Sequence, residues 1–151
     1  MSRTVAIRTA VPEEADRIVQ TYEWLFEPPG MRPARWDEAL AATAVRRVVT
    51  SPDAVVLVAE DGSDLVGMCS VYLDIESIRF GQRAWVEDLA VHPGHRSRGI
   101  GKLLLDHAKD WARAHSATHL ELDSAEARAA AHRFYERELP SWRSICFGWQ
   151  L

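Results

Sequence analysis

The residues from Arg96 to Lys102, Arg-Ser-Arg-Gly-Ile-Gly-Lys, have the types and spacing of an anion site. A strand, Leu89-Ala90-Val91, runs through His92-Pro93-Gly94 into this loop, and a helix follows directly. Glycines at a helix mouth let the backbone approach a ligand closely. The first N–H groups of the helix have no internal partner, and its dipole adds partial positive charge. Arg96, Arg98 and Lys102 add full charges, so the pattern suits a phosphate or pyrophosphate. The three-glycine dinucleotide fingerprint is absent. The nucleotide P-loop is absent too, because Gly101-Lys102 is followed by Leu103 and Gly94 stands too far back.

The elements around the loop follow from periodicity. Val5 to Arg8 reads as a short strand, and Pro12 opens a helix with Ala15, Ile18, Val19 and Tyr22 on one face. Glu27-Pro28-Pro29-Gly30 breaks it, and a second helix is expected from Ala34 to Val49 with Leu40, Ala41, Ala44, Val45 and Val48 inward. Ala54 to Ala59, Leu65 to Ile75 and Ala84 to Val91 make an antiparallel meander, turned first at Asp61-Gly62. Ile100, Leu103, Leu104, His107, Ala108 and Trp111 form the stripe of a third helix. A strand from His119 to Asp123, a helix from Arg128 to Glu138 and a last strand over Ile145 to Leu151 complete the chain. The order β-α-α-β-β-β-α-β-α-β predicts an α/β domain over residues 1–151, with a mixed sheet and helices on both faces.

Arg96, Gly99 and Gly101, in the pattern R-x-x-G-x-G after Leu89-Ala90-Val91-His92-Pro93, resemble the signature of the GNAT superfamily of acyl-CoA-dependent N-acetyltransferases. Ala131-His132-Arg133-Phe134-Tyr135-Glu136-Arg137 is similar to that family's late Phe-Tyr helix, and the element order fits over nearly the whole chain. The resemblance implies acetyl-CoA as acyl donor, with its pyrophosphate on Ser97, Arg98, Gly99, Ile100, Gly101 and Lys102 beside Arg96. It implies a pantetheine arm paired to Leu89, Ala90 and Val91, which needs an open strand edge, a sheet splayed between the fourth and fifth strands, and a β-bulge near Leu89. It also implies Tyr135 as general acid to the departing thiolate and Glu87 as the base that frees the amine, with Asp88 second unless a bulge turns it.

The implied acceptor is a primary amine on a small cationic molecule. Trp24, Phe26 and Trp36, with Glu23, Glu27, Asp37 and Glu38, would wall its site, and Trp85 would line the cleft from the strand. Two competing readings are acetylation of a protein N-terminus or lysine and a catalytically silent acyl-CoA sensor. The chain departs from the family at Arg128, where an asparagine often stands, and at Glu138-Leu139-Pro140. With one strand after that point where the family commonly has two, a homodimer is expected.

Composition sets the outer bounds. Eighteen Lys and Arg against 22 Asp and Glu leave a net charge of −4, without the basic footprint of a nucleic-acid binder. No apolar run is long enough to span a membrane, and Met1 to Thr4 has no leader-like stretch. Two distant cysteines, Cys69 and Cys146, read as core thiols in the cytoplasm. No metal is expected, since the helix-to-strand break between His115 and His119 removes a ligand geometry. Six tryptophans are the compositional oddity; Trp111 and Trp149 are assigned to the core.

Overall fold

The computed structural model describes residues 4–151, so the leader reading at Met1 to Arg3 lies outside it. Strands β1 (Ala6–Thr9), β2 (Ala54–Asp61), β3 (Asp64–Ser77), β4 (Gly81–Val91) and β5 (His119–Glu121) lie side by side in that order. The first four are antiparallel neighbours, and β5 joins β4 in parallel. The helices are α1 (Ala15–Thr21), α2 (Glu23–Phe26), α3 (Glu38–Val49), α4 (Ile100–Ala114) and α5 (Ala129–Arg137).

Both faces of the sheet are covered. Ile100, Leu104, Ala108 and Ala112 of α4 pack on Val55, Leu57, Cys69, Val71, Ala84 and Val86. Ile18 and Val19 of α1, with Ala42 and Val45 of α3, pack on Val56, Val58, Met68 and Ala90. Each face is therefore an apolar layer, as a two-sided sheet requires. Leu104 is fully buried, and truncation to alanine there would cost about 2–5 kcal/mol.

Several expectations change. The second helix begins at Glu38 rather than Ala34, because the Asp37 side chain accepts from the Leu40 amide at 2.9 Å and caps it. Leu40, 70% exposed, and Ala44 both turn outward, and Ala42 and Val45 are the buried positions. The final strand does not form: residues 138–151 carry no helix or strand, and Ile145, Phe147, Trp149 and Leu151 are exposed despite their alternation. Trp149 is thus no core residue, whereas Trp111 packs against the α4 layer. Cys69 is buried as expected, but Cys146 is exposed on that same tail.

Candidate active site

The register of β4 against β3 shifts twice, between Leu73 and Ile75 and between Ser70 and Val71, and the second shift shapes the site. Ser70 faces Asp88 and Val71 faces Val86, so Glu87 is the extra residue of a β-bulge. The bulge lies two residues before Leu89. Ala84 and Val86 ahead of it point into the α4 layer, while Ala90 beyond it lies in the α1–α3 layer. Strict alternation would have put Asp88 with Val86 against α4. Instead Asp88 shares the α1 side with Ser70, and Glu87 turns the same way toward Trp85.

Two neighbouring carboxylates therefore lie on one side of the sheet. Glu87 is exposed and accepts from Trp85 Nε1 at 2.7 Å. Asp88 is largely enclosed, and its Oδ2 accepts from the Tyr22 hydroxyl at 2.7 Å and from Ser70 Oγ at 3.2 Å. Burial pushes the Asp88 carboxyl above the usual carboxylate range, and the Glu87 charge pushes the same way. Burial likewise raises the Tyr22 phenol, with Asp88 adding to it, so Tyr22 remains a donor.

Aromatic rings gather on the same side, joined to Asp88 through Tyr22. Tyr22 stacks on Trp36 with centroids 5.5 Å apart, and Phe26 meets Trp36 edge-on at 4.8 Å. The Arg32 guanidinium lies 5.3 Å over the Phe26 ring. Trp36 Nε1 is buried without a partner among the described residues. Of the wall residues read from sequence, the fold brings Phe26, Trp36 and Trp85 to this side. Trp24 packs instead on His92, ring centroids 5.3 Å apart, away from the carboxylates. Glu27 is exposed on the loop after α2.

Tyr22 was counted only as core, since it continues the α1 apolar stripe. Its signal was the polar tip on that stripe, which needs a partner wherever it is buried. Tyr72 went unremarked for the same reason: it pairs with Trp85 across the sheet, and Asp88 and Glu87 both raise its phenol after burial does.

On its other edge β4 is largely open. It pairs with β5 only through Arg83, Ala84 and Trp85, opposite His119, Leu120 and Glu121. Beyond Trp85 the two strands are unpaired, so the edge of Leu89, Ala90 and Val91 is free as expected. The chain then enters the anion loop. Ser97 has φ 61° and Gly99 φ 80°, and Gly99 precedes α4 without any side-chain cap. Left-handed residues before an uncapped helix turn amides outward, which suits an anion. Arg96 braces the loop, with Nε donating to the Val91 carbonyl at 3.2 Å. Arg98 is exposed, and Lys102 pairs with Asp106 at 3.1 Å and Glu138 at 3.2 Å.

Helix α5 adds the remaining groups. Phe134 packs close to the start of α4, since a Cβ on Gly101 would lie 3.4 Å from its ring. Burial pushes the Tyr135 phenol up to about 12, and the nearby Arg128 charge opposes that rise. Tyr135 is therefore protonated at neutral pH and can donate. Tyr135 and His132 also reach the wall of a groove of about 930 Å³ between α4, β5, α5 and the C-terminal segment. Cys69, near Tyr135, is held protonated by its burial. Cys146 is raised by its hydrogen bond with Asp123.

Comparison with known proteins was made against this geometry. The model of the "Acetyltransferase (GNAT) family" matches residues 16–139. A streptothricin acetyltransferase of Streptomyces lavendulae is 42% identical over 82 residues, 54% of this chain and 41% of that protein. An uncharacterized N-acetyltransferase, YhdJ of Bacillus subtilis, is 46% identical over 59 residues, 39% of this chain and 42% of that protein. The matches thus span less than half the length of these two relatives. Among solved structures, aminoglycoside N-acetyltransferase AAC(6')-Iy in complex with CoA superposes with a TM-score of 0.85 at 11% identity, covering 100% of this chain and 97% of that one. An aminoglycoside acetyltransferase from a soil metagenomic sample, in complex with sisomicin, gives 0.79 at 17% identity over 97% and 96% of the two chains. At these identities the structural likeness establishes the fold.

Proposed function

The chain belongs to the acetyltransferase (GNAT) family, and on that premise we propose that it transfers an acetyl group from acetyl-CoA directly to a primary amine of a small cationic molecule. One observation carries the reading: the β4 edge left unpaired beyond Trp85 runs straight into the uncapped start of α4. An extended arm can pair with such an edge while its pyrophosphate meets the helix amides. Leu89, Ala90 and Val91 would hold the pantetheine, and Ser97 to Lys102 with Arg96 the pyrophosphate. Lys102 would exchange its carboxylate partners for the phosphate.

The acceptor enters from the α1 side, where Glu87 and Asp88 supply negative charge and Tyr22, Phe26 and Trp36 supply ring faces. Arg32 already lies over Phe26, so this wall receives a cation. Glu87, exposed on the bulge, takes the ammonium proton through a water. The neutral nitrogen attacks the thioester carbonyl, and Tyr135 protonates the departing thiolate. Both thiols are raised above their ordinary range, which favours direct transfer over a cysteine-bound acyl group. Relatives named for streptothricin and aminoglycosides support an acceptor of that polycationic kind.

The same reading includes a homodimer in the cytoplasm. Ile145, Phe147, Trp149 and Leu151 are 79%, 74%, 81% and 116% exposed, and a second copy would cover them. Only monomer in a mass measurement at micromolar concentration would overturn the dimer.

The central test is a panel of amines with detection of released thiol. Streptothricins, aminoglycosides, polyamines and amino-acid-like amines are supplied with acetyl-CoA. Release with a cationic amine supports the proposal. Coenzyme binding without release on any amine would make the chain a silent acyl-CoA binder instead.

A further inference from the structure

The loop that closes the acceptor wall is tied to α5 by one side chain. Arg128 Nη2 donates to the Leu25 carbonyl at 3.0 Å, joining positions 103 apart. Leu25 needs an outside donor. It lies in the last turn of α2, where carbonyls lack helical partners. The residues three and four positions on are Pro28 and Pro29, which have no N–H to offer. The cation also sits at the negative end of the helical turn.

The loop is shaped around that guanidinium. Gly30 donates its amide to the Glu27 carbonyl at 2.7 Å, which brings the chain back beside Leu25. A Cβ on Gly30 would collide with the Leu25 carbonyl oxygen and stand 2.7 Å from Arg128 Nη2. Only glycine allows this closure. Phe26 lies next to Leu25 and packs on Trp36, while Tyr135 lies about two turns along α5 from Arg128.

We propose that Arg128 is a positioning residue that clamps the acceptor loop, Leu25 to Gly30, to the helix bearing Tyr135, and so sets the gap that an amine must fit. The clamp's kinetic consequence rests on the acetyltransferase reading. Its structural half does not.

Arg128→Met, Arg128→Lys and Gly30→Ala test it in two ways. Hydrogen exchange on the free protein should quicken at the Glu27 and Gly30 amides in Arg128→Met and leave the α4 amides unchanged. In kinetics, loss of one charge-assisted hydrogen bond should raise the acceptor KM about tenfold, with the acetyl-CoA KM held within about twofold. Arg128→Lys should restore most of the loss. Gly30→Ala should reproduce it, and the double variant should add little, because both break one contact. Unchanged loop exchange would overturn the clamp whatever the activity. So would an unchanged acceptor KM, a parallel rise in both KM values, or full additivity. A wild type inactive on every amine would overturn the acetyltransferase reading alone, and the exchange data would still decide the clamp.

Discussion

Tyr22 donates its phenolic hydrogen to Asp88 Oδ2 at 2.7 Å, fastening the end of the first helix to the bulge of β4. The same oxygen accepts from Ser70, so three elements meet on one carboxylate. Asp88 Oδ1 is bonded by no described side chain and is not among the buried orphaned atoms, so it keeps some contact with solvent. A fixed negative charge is thereby presented where an ammonium would approach.

Holding that charge costs stability. Asp88 is raised in the fold above its unfolded value of about 3.9. Its favourable contribution is therefore complete below that value and is lost as pH rises through the folded pKa. Asp88→Asn, which can still accept from Tyr22, should be more stable than the wild type at pH 7 and lose that advantage near pH 3.5. Its acceptor KM should rise. Thermal unfolding across pH checks this, and a pH-independent difference would show an ordinary carboxylate.

Glu87→Gln should lower kcat by roughly 10². Glutamine retains an acceptor for Trp85 Nε1, so folding should be unaffected. Turnover equal to wild type would remove Glu87 from the mechanism.

Tyr135→Phe should also lower kcat by roughly 10², while coenzyme affinity stays near wild type. With the Tyr135 phenol near 12, any decline in rate between pH 8 and 10 must come from another group and should persist in the variant. Calorimetric titration with coenzyme A, alongside turnover, separates the two effects. A matching loss of affinity would make Tyr135 a binding residue only.

The two loop glycines should fail for different reasons. Gly99 has open space around it but φ 80°, so Gly99→Ala strains the backbone by about 1–2 kcal/mol and should weaken coenzyme binding roughly tenfold. Gly101 has an ordinary helical backbone with Phe134 close by. Gly101→Ala should bind normally, and Gly101→Leu should lose binding. Coenzyme titration of the three variants checks the contrast.

Much of this was legible in the sequence because it is local. The α4 helix, the Asp61-Gly62 hairpin and the Arg96 to Lys102 loop are short-range patterns and form where they were expected, although Leu103 and His107 of the α4 stripe are exposed and Leu105 and Ala112 are buried in their place. The free β4 edge followed from the family resemblance. What was not legible depended on pairing between distant residues. The bulge near Leu89 was implied by the resemblance, but nothing in Val86-Glu87-Asp88 itself marks it, because the extra residue exists only against Ser70 and Val71. Trp24 looked like a site aromatic, yet its ring goes to His92. The tail from Ile145 alternates as a strand should, but alternation without a neighbouring strand to bond leaves it outside the sheet and exposed.

The bulge also makes β4 sensitive to residue count in a way it is not sensitive to residue type. Everything after Glu87 is addressed to its face by one odd residue. Deleting it would turn Asp88 and Ala90 toward α4 and send Leu89 and Val91 into the acceptor cleft. The charge at Asp88 would then lie inside an apolar layer, and the unpaired edge beyond Trp85 would shift by one amide. Position 87 is thus a parity switch, and a one-residue change in spacing there would undo the cleft more completely than any single substitution along the strand.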